Sequence, residues 1–187
     1  MKVVCGLGNP GPEYADTRHN VGWWVVDQAR ARWGFPAFRR DGRARSSEGR
    51  LGEEAVRLIE PQTWMNRSGA ALSPLGLLPE FDFRRELLIV VDDAALDVGR
   101  IRFRADGSSG GHNGLKSVEA ALRSQEYQRL RVGVGQLPPG VELADWVLSP
   151  FGPADEDNMR AMLPDLVNAV EVWVGEGIDV AANRFNR

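Results

Sequence analysis

The chain holds two histidines, and each is followed by asparagine beside a glycine-rich turn. His19-Asn20 comes after Gly6-Leu7-Gly8-Asn9-Pro10-Gly11, and His112-Asn113 lies inside Gly110-Gly111-His112-Asn113-Gly114. Imidazole is the side chain suited to proton transfer near neutral pH, so such chemistry falls to these two groups. Glycine-rich loops of this kind bring backbone close to a ligand. His19 stands in polar, loop-like surroundings between Arg18 and Asn20. Asp92 ends the most apolar strand candidate, at the end where α/β sheets carry their sites. A carboxylate bonded to an imidazole fixes its tautomer and favours the protonated form, which makes a better base. Neither serine nor cysteine stands out as a nucleophile beside this pair, so water is the natural one.

Asn9, Asn66 and Asn113 lie at the mouths of turns or at helix starts. A carboxamide offers a donor and an acceptor without net charge, which suits recognition of a peptide. Helix capping is the competing role, chiefly for Asn113 ahead of a helix near Leu115. Cys5, among apolar neighbours in the first strand, reads as a small buried hydrophobe. Two histidines and one cysteine, widely separated, give no metal-ligand pair at helical or turn spacing. Glu53-Glu54 and Asp92-Asp93 do not demand a cation, so no metal or other cofactor is expected. Gly6-x-Gly8-x-x-Gly11 matches the dinucleotide fingerprint letter by letter. In such a site, however, the helix starts within the glycines. Here Pro10 and Pro12 flank Gly11, helical periodicity begins near Asn20, and Asp27, at the spacing of a ribose-binding acid, lies inside that helix. Nucleotide binding is disfavoured.

These candidates need a scaffold, and 187 residues suffice for one domain with a real core. The hydrophobic share of 43% and charged share of 26% are those of a soluble globular protein. No apolar run approaches the length of a membrane span. Met1-Lys2-Val3-Val4-Cys5 reads as a strand rather than a signal segment, and one cysteine fits a reducing compartment. We therefore expect a cytoplasmic protein. The net charge of -3 argues mildly against a nucleic-acid partner. The distribution of that charge weakens the objection. Arginine supplies nearly all the positive charge and bunches at Arg39, Arg40, Arg43, Arg45 and Arg50, at Arg100, Arg102 and Arg104, and at Arg129 and Arg131.

Short apolar runs alternate with helical stretches, which predicts an α/β domain. Strands are expected at 3–6, 55–59, 87–91 and 130–134, with 87–91 suited to the centre of a sheet. Ile101 and Phe103 alternate with Arg102 and Arg104, so a strand there has one basic face. Helices are expected at 20–33 (stopped by Gly34), at 66–73 (stopped by Pro74) and at 115–122. A long amphipathic helix over 155–173, with Pro164 as a kink, closes the chain. Residues 35–49 read as a polar loop or loosely paired hairpin.

Leu7-Gly8-Asn9-Pro10-Gly11-x-x-Tyr14-x-x-Thr17-Arg18-His19-Asn20-x-Gly22 resembles the N-terminal signature of bacterial peptidyl-tRNA hydrolases. Further blocks agree in order: Pro61-x-Thr63-x-Met65-Asn66-x-Ser68-Gly69, Asp92-Asp93, Gly110 to Lys116, Arg129 to Gly135, and Trp146-Val147-Leu148. The likeness covers essentially the whole chain, 1–187. It implies one α/β domain around a mixed, twisted β-sheet flanked by helices. It also implies hydrolysis of the ester joining a peptide to the terminal ribose of tRNA. By position His19 matches the base and Asp92 the supporting carboxylate, with Asp93 as the alternative because Ala94 to Val98 departs from the family pattern. Asn9 matches the residue that separates peptidyl from plain aminoacyl substrates, using its donor and acceptor together. Tyr14, Trp64, Asn66 and Asn113 match substrate contacts, and Met65 lies beside the peptide channel. Trp64 stands where phenylalanine or tyrosine is usual and keeps an aromatic surface.

Two functions from different classes follow. The first is a metal-free esterase, expected to be monomeric, acting on peptidyl-tRNA, whose phosphates Arg102, Arg104 and Arg131 would hold. The second is a non-catalytic RNA-binding relative of the same fold, of the splicing-factor kind.

Overall fold

The structure, a computed structural model, describes residues 1–187. Its elements run β1 (Lys2–Gly6), a 3-10 turn (Arg18–Asn20), α1 (Val21–Trp33), β2 (Arg39–Asp41), β3 (Ala44–Leu51), β4 (Glu54–Pro61), a 3-10 helix (Met65–Leu77), α2 (Phe83–Glu86), β5 (Leu87–Asp93), β6 (Ile101–Arg104), α3 (Asn113–Leu122), β7 (Gln128–Gly133), α4 (Leu143–Val147), α5 (Pro153–Glu176) and α6 (Ile178–Phe185). Seven strands form one sheet in the order β2-β3-β4-β1-β5-β7-β6. The inner four, β4, β1, β5 and β7, are parallel, while β2, β3 and β6 join antiparallel at the two sides. The sheet is mixed, as expected.

Parallel strands covered on both faces favour continuous apolar runs, and Val3 to Cys5 of β1 and Leu87 to Val91 of β5 supply them. In β5, Leu88 and Val90 enter the larger core beneath α1 and α5, whereas Leu87, Ile89 and Val91 enter the core beneath the 3-10 helix and α3. β1 divides the same way, with Val4 on one side and Val3 and Cys5 on the other. Cys5 is fully buried, and that burial pushes its thiol pKa up, which leaves it an inert packing residue. β5 is interior, and β1 occupies the middle position.

Several elements differ from the sequence pattern. Residues 35–49 form a true hairpin arm, because β3 pairs with β4 along its whole length from Ala44↔Pro61 to Leu51↔Glu54. The helix after Met65 passes through Pro74 to Leu77. It is built of short 3-10 turns, which suffer less from a missing N–H than a continuous α ladder does. The long helix α5 does not close the chain, because Gly177 breaks it at positive φ and α6 follows. The last two residues return to the sheet. Asn186 accepts from the Phe103 N–H through Oδ1 (2.6 Å) and donates to the Phe103 carbonyl through Nδ2 (3.2 Å), covering the outer edge of β6. The arginine groups of the β2–β3 arm and of β6 sit at opposite edges of the sheet.

One polar group lies inside the arm. Glu60 of β4 is fully buried and receives Arg45 Nε at 2.5 Å from the adjacent strand. Burial, reinforced by the charge of Asp27 on α1, raises the Glu60 carboxyl from 4.5 to about 8. A carboxyl raised on folding stays protonated in the native state where the unfolded chain has already lost its proton. Its contribution is therefore full below pH 4.5 and is lost as pH rises to about 8. Glu60→Gln should flatten the fall in melting temperature across that window. A variant that loses stability with pH as steeply as the parent would show that Glu60 is not the group responsible.

Candidate active site

The carboxyl ends of the four parallel strands open onto one cavity of about 770 Å³. β1 leads to the loop with Asn9, β4 leads to Trp64 and Met65, and β5 ends at Asp92 and Asp93. The site lies where open α/β sheets place theirs. Two glycines let the turn bearing His19 reach it. A Cβ on Gly6 would stand 2.2 Å from the Gly22 carbonyl oxygen, and one on Gly22 would stand 2.6 Å from the Val90 carbonyl oxygen. The start of α1 thus presses directly on β1 and β5, which sets the preceding 3-10 turn beside the end of β5.

His19 is 8% exposed, and its Nδ1 lies 3.0 and 2.9 Å from the two carboxylate oxygens of Asp92. A carboxylate only accepts, so Nδ1 carries the proton and the Nε2 lone pair is left without a partner in the chain. Asp92 also meets the other imidazole, with His112 Nε2 2.8 Å from its Oδ1. His112 Nδ1 accepts from the backbone N–H groups of Gly114 (3.0 Å) and Leu115 (3.3 Å), capping α3. That nitrogen must keep its lone pair, so His112 is neutral, its proton sits on Nε2, and both nitrogens are engaged. Burial alone would raise the Asp92 carboxyl, but the positive charge that His112 and His19 bring when protonated, and then their hydrogen bonds, outweigh it and favour a pKa well below the usual carboxylate range. Asp92 stays ionised between two imidazoles whose centroids are 4.8 Å apart.

Asp93 takes no part in this set. Its Oδ1 accepts from the Ala95 N–H at 2.8 Å and its Oδ2 lies 3.6 Å from Arg131 Nη1. Of the two aspartates left open by the sequence, Asp92 is the one against His19. His19, Asp92 and His112 lie close enough together to suggest a metal site. A ligand nitrogen must offer a lone pair, however, and His112 Nε2 cannot do so without moving its proton to Nδ1 and breaking the cap. The arrangement is built for hydrogen bonds.

Asn9 is 6% exposed and held on three sides. Its Oδ1 accepts from the Met65 N–H at 2.7 Å, its N–H donates to Asn20 Oδ1 at 2.9 Å, and its carbonyl accepts from Asn20 Nδ2 at 3.0 Å. One lone pair of the Asn9 acceptor is thus taken by the backbone, and the Nδ2 donor has no partner in the chain. Tyr14 and Trp64 meet edge to face at 5.8 Å on one wall, with Trp64 exposed and Met65 buried behind it. Asn66 and Asn113 line the same cavity; Asn66 is exposed. The cap that Asn113 could have provided comes instead from His112.

The arginines divide. In the register of β6 and β7, Arg102 faces Arg131 and Arg104 faces Arg129, so all four share the sheet face opposite Ile101 and Phe103. Arg131 lines the cavity and donates to the Ser108 carbonyl at 2.9 Å, while Arg102 and Arg104 stand farther out on the edge strand. Arg129 is fully buried, stacked over Tyr127 and spent on the carbonyls of Gly107, Ser108 and Gln125.

The sequence marks His112 and Asn20 through the repeated His-Asn pair, but gives neither of them a task. It gives no sign of α4, whose Leu143, Ala144 and Val147, with Leu148, form an apolar wall. Five residues with no sustained periodicity carry no helical signal.

The sequence pattern of the Peptidyl-tRNA hydrolase family matches residues 3–187. The peptidyl-tRNA hydrolase of Gemmatimonas aurantiaca is 45% identical over 194 residues, covering 100% of both chains. That of Symbiobacterium thermophilum is 46% identical over 187 residues, covering 99% of this chain and 98% of the other. The crystal structure of peptidyl-tRNA hydrolase from Acinetobacter baumannii superposes with a TM-score of 0.91 at 31% identity, covering 100% of this chain and 94% of that one. A likeness that runs the length of the chain in both sequence and fold leaves one assignment: the protein belongs to the peptidyl-tRNA hydrolase family.

Proposed function

We propose that this protein hydrolyses the ester between a peptide and the terminal ribose of a tRNA, with His19 as general base and water as nucleophile. The observation that carries this reading is the free Nε2 of His19, opposite an Nδ1 already held by ionised Asp92. Nε2 takes a proton from water as the water oxygen bonds to the ester carbonyl carbon. The imidazolium so formed is stabilised by Asp92. When the ester C–O bond breaks, Nε2–H returns the proton to the departing ribose oxygen. Of the two histidines only His19 can do this, since both nitrogens of His112 are engaged.

Asn9 Nδ2, with Asn66 and Asn113 near the rim, supplies amide donors without charge. A peptidyl substrate offers such a donor one amide carbonyl that a plain aminoacyl substrate lacks, so Asn9 favours the blocked substrate. Tyr14, Trp64, Met65 and the α4 wall give the peptide an apolar channel. The protein acts as a monomer in the cytoplasm and needs no cofactor. A purely RNA-binding relative is the weaker reading, because it leaves a buried, desolvated His19–Asp92–His112 set without a task. The test is incubation with N-acetyl-aminoacyl-tRNA and with the unblocked aminoacyl-tRNA. Release of tRNA from the first and sparing of the second are expected, and equal treatment of both would sink the proposal.

Arg102, Arg104 and Arg131 hold tRNA phosphates in this reading. Arg102→Ala with Arg104→Ala should raise KM and reduce the log–log salt slope by about 0.9 for each phosphate no longer neutralised. An unchanged slope, measured from KM at several salt concentrations, would make them ordinary surface charge.

A further inference from the structure

The residue before the base makes a contact that the reaction does not use. Arg18 is 4% exposed, and its guanidinium carbon lies over the Trp146 ring, 3.4 Å from the centroid. Phe151 stands 5.3 Å away on the same measure. Arg18 Nη1 is within hydrogen-bond reach of Ser149 Oγ (2.6 Å) and of the carbonyls of Pro150 (2.9 Å), Trp146 (3.2 Å) and Ser149 (3.3 Å). The backbone agrees, since the Arg18 N–H donates to the Ser149 carbonyl at 3.1 Å and Thr17 bridges Pro150. These partners are the last turn of α4 and the residues after it. α4 and Leu148 are the apolar wall of the cavity. Trp146 is tied in turn to the Gly135 carbonyl through Nε1 at 3.0 Å.

This is a costly way to fasten a wall if stability were the sole purpose. The cation is buried, with Asp155 as the carboxylate whose charge reaches it, and desolvation lowers its pKa. Its Nε–H has no partner in the chain. Replacing a buried charge by a well-packed apolar group is often neutral or stabilising, so a retained one marks a geometric demand. Arginine alone meets that demand here, because its plane stacks on an indole while its edge reaches several acceptors. Arg18 does not line the cavity, so it does not meet the substrate.

We propose that Arg18 is a positioning residue that holds the α4 wall at its working distance from His19, and so sets the affinity for the peptide rather than the chemical step. The inference rests on the hydrolase reading. One backbone unit then carries both the base and the clamp on the neighbouring wall, and displacement of the wall is felt by long peptides that touch it. A minimal blocked residue that ends near Asn9 is spared.

The test compares N-acetyl-glycyl-tRNA with a tetrapeptidyl-tRNA of apolar side chains, using the full-length protein and its Arg18→Lys variant. Lysine keeps the charge and loses the stacking plane. The expected result is a KM raised roughly tenfold for the tetrapeptidyl substrate, with kcat and the pH profile of both substrates kept, as for loss of uniform binding. Ser149→Ala, which removes the 2.6 Å acceptor of Arg18 together with the Ser149 hydroxyl's bond to the Trp146 carbonyl, should move the same ratio in the same direction by a smaller factor and guards against a folding failure of the lysine variant. A ratio of KM values unchanged in both variants, or a fall in kcat with an altered pH profile, overturns the assignment. If the unmodified protein cleaves neither substrate, the hydrolase reading itself falls.

Discussion

His19→Ala should lose about 10²- to 10⁴-fold in kcat while folding and binding tRNA normally, the usual range for removal of a general base. The reasoning is one of elimination as well as proximity. A water molecule in the cavity needs a lone pair of suitable basicity, and the two imidazoles are the natural sources. His112 has spent both nitrogens, one on Asp92 and one on the first turn of α3. Asp92 is ionised but 3% exposed, and its oxygens are filled by the two rings. His19 Nε2 is left. The fold should survive because His19 sits on a short 3-10 turn at the cavity wall, and tRNA binding should survive because the basic strand lies elsewhere. Single-turnover assays with saturating enzyme give the rate, and a filter-binding measurement gives the affinity. Turnover within a few-fold of the parent would end the mechanism.

Asp92→Asn should be nearly as damaging, for a reason that the geometry makes specific. A carboxylate can accept from both rings, whereas a carboxamide has one accepting oxygen and one donating NH₂. His112 is locked as a donor at Nε2, because its Nδ1 lone pair holds Gly114 and Leu115. The amide oxygen therefore turns to His112 and the NH₂ faces His19 Nδ1. To accept that donor, Nδ1 must give up its proton, which moves to Nε2. The ring would then present N–H to water and lose its base function, with no change in shape. The opposite orientation would set two donors against each other at His112 and cost a buried hydrogen bond, about 1–3 kcal/mol. A wrong tautomer of this kind costs about 10⁴-fold in serine-protease triads, so the loss here should approach that size. Ring ¹⁵N shifts of His19 should report the proton on Nε2 in the variant and on Nδ1 in the parent. Activity within tenfold of the parent, or an unmoved proton, would refute this account.

Much of the arrangement was legible in the sequence, and the reasons differ by residue. The strands β1 and β5 announce themselves because two covered faces favour unbroken apolar runs, and β7 shows itself by the alternation of Leu130, Val132 and, just past its end, Val134. α1 is legible from its spacing and from Gly34, which takes the left-handed conformation that ends it. His19 and Asp92 follow from a loop and a strand end. What stayed hidden depends on contacts between distant segments. The tautomer of His112 is set by a helix start for which the sequence offered Asn113 only as a competing cap. The Asn9 acceptor is engaged by the Met65 backbone, 56 positions away, which no local pattern encodes. α4 owes its place to what holds its Trp146, Arg18 and the Gly135 carbonyl, rather than to any pattern within its five residues.

The two outer strands of the sheet present rows of backbone donors and acceptors that could pair with another molecule, and each is guarded differently. At β2 the guard is charge, since Arg39, Arg40 and Asp41 are all exposed. At β6 it is a plug, the Asn186 carboxamide lying on Phe103 as a neighbouring strand would. Charge weakens with salt, because screening shortens its reach to about 3 Å at 1 M. A hydrogen-bonded amide is indifferent to salt, but it is lost if a protease trims the residues after Phe185. Self-association through β2 is thus governed by the ionic medium, and through β6 by the integrity of the tail.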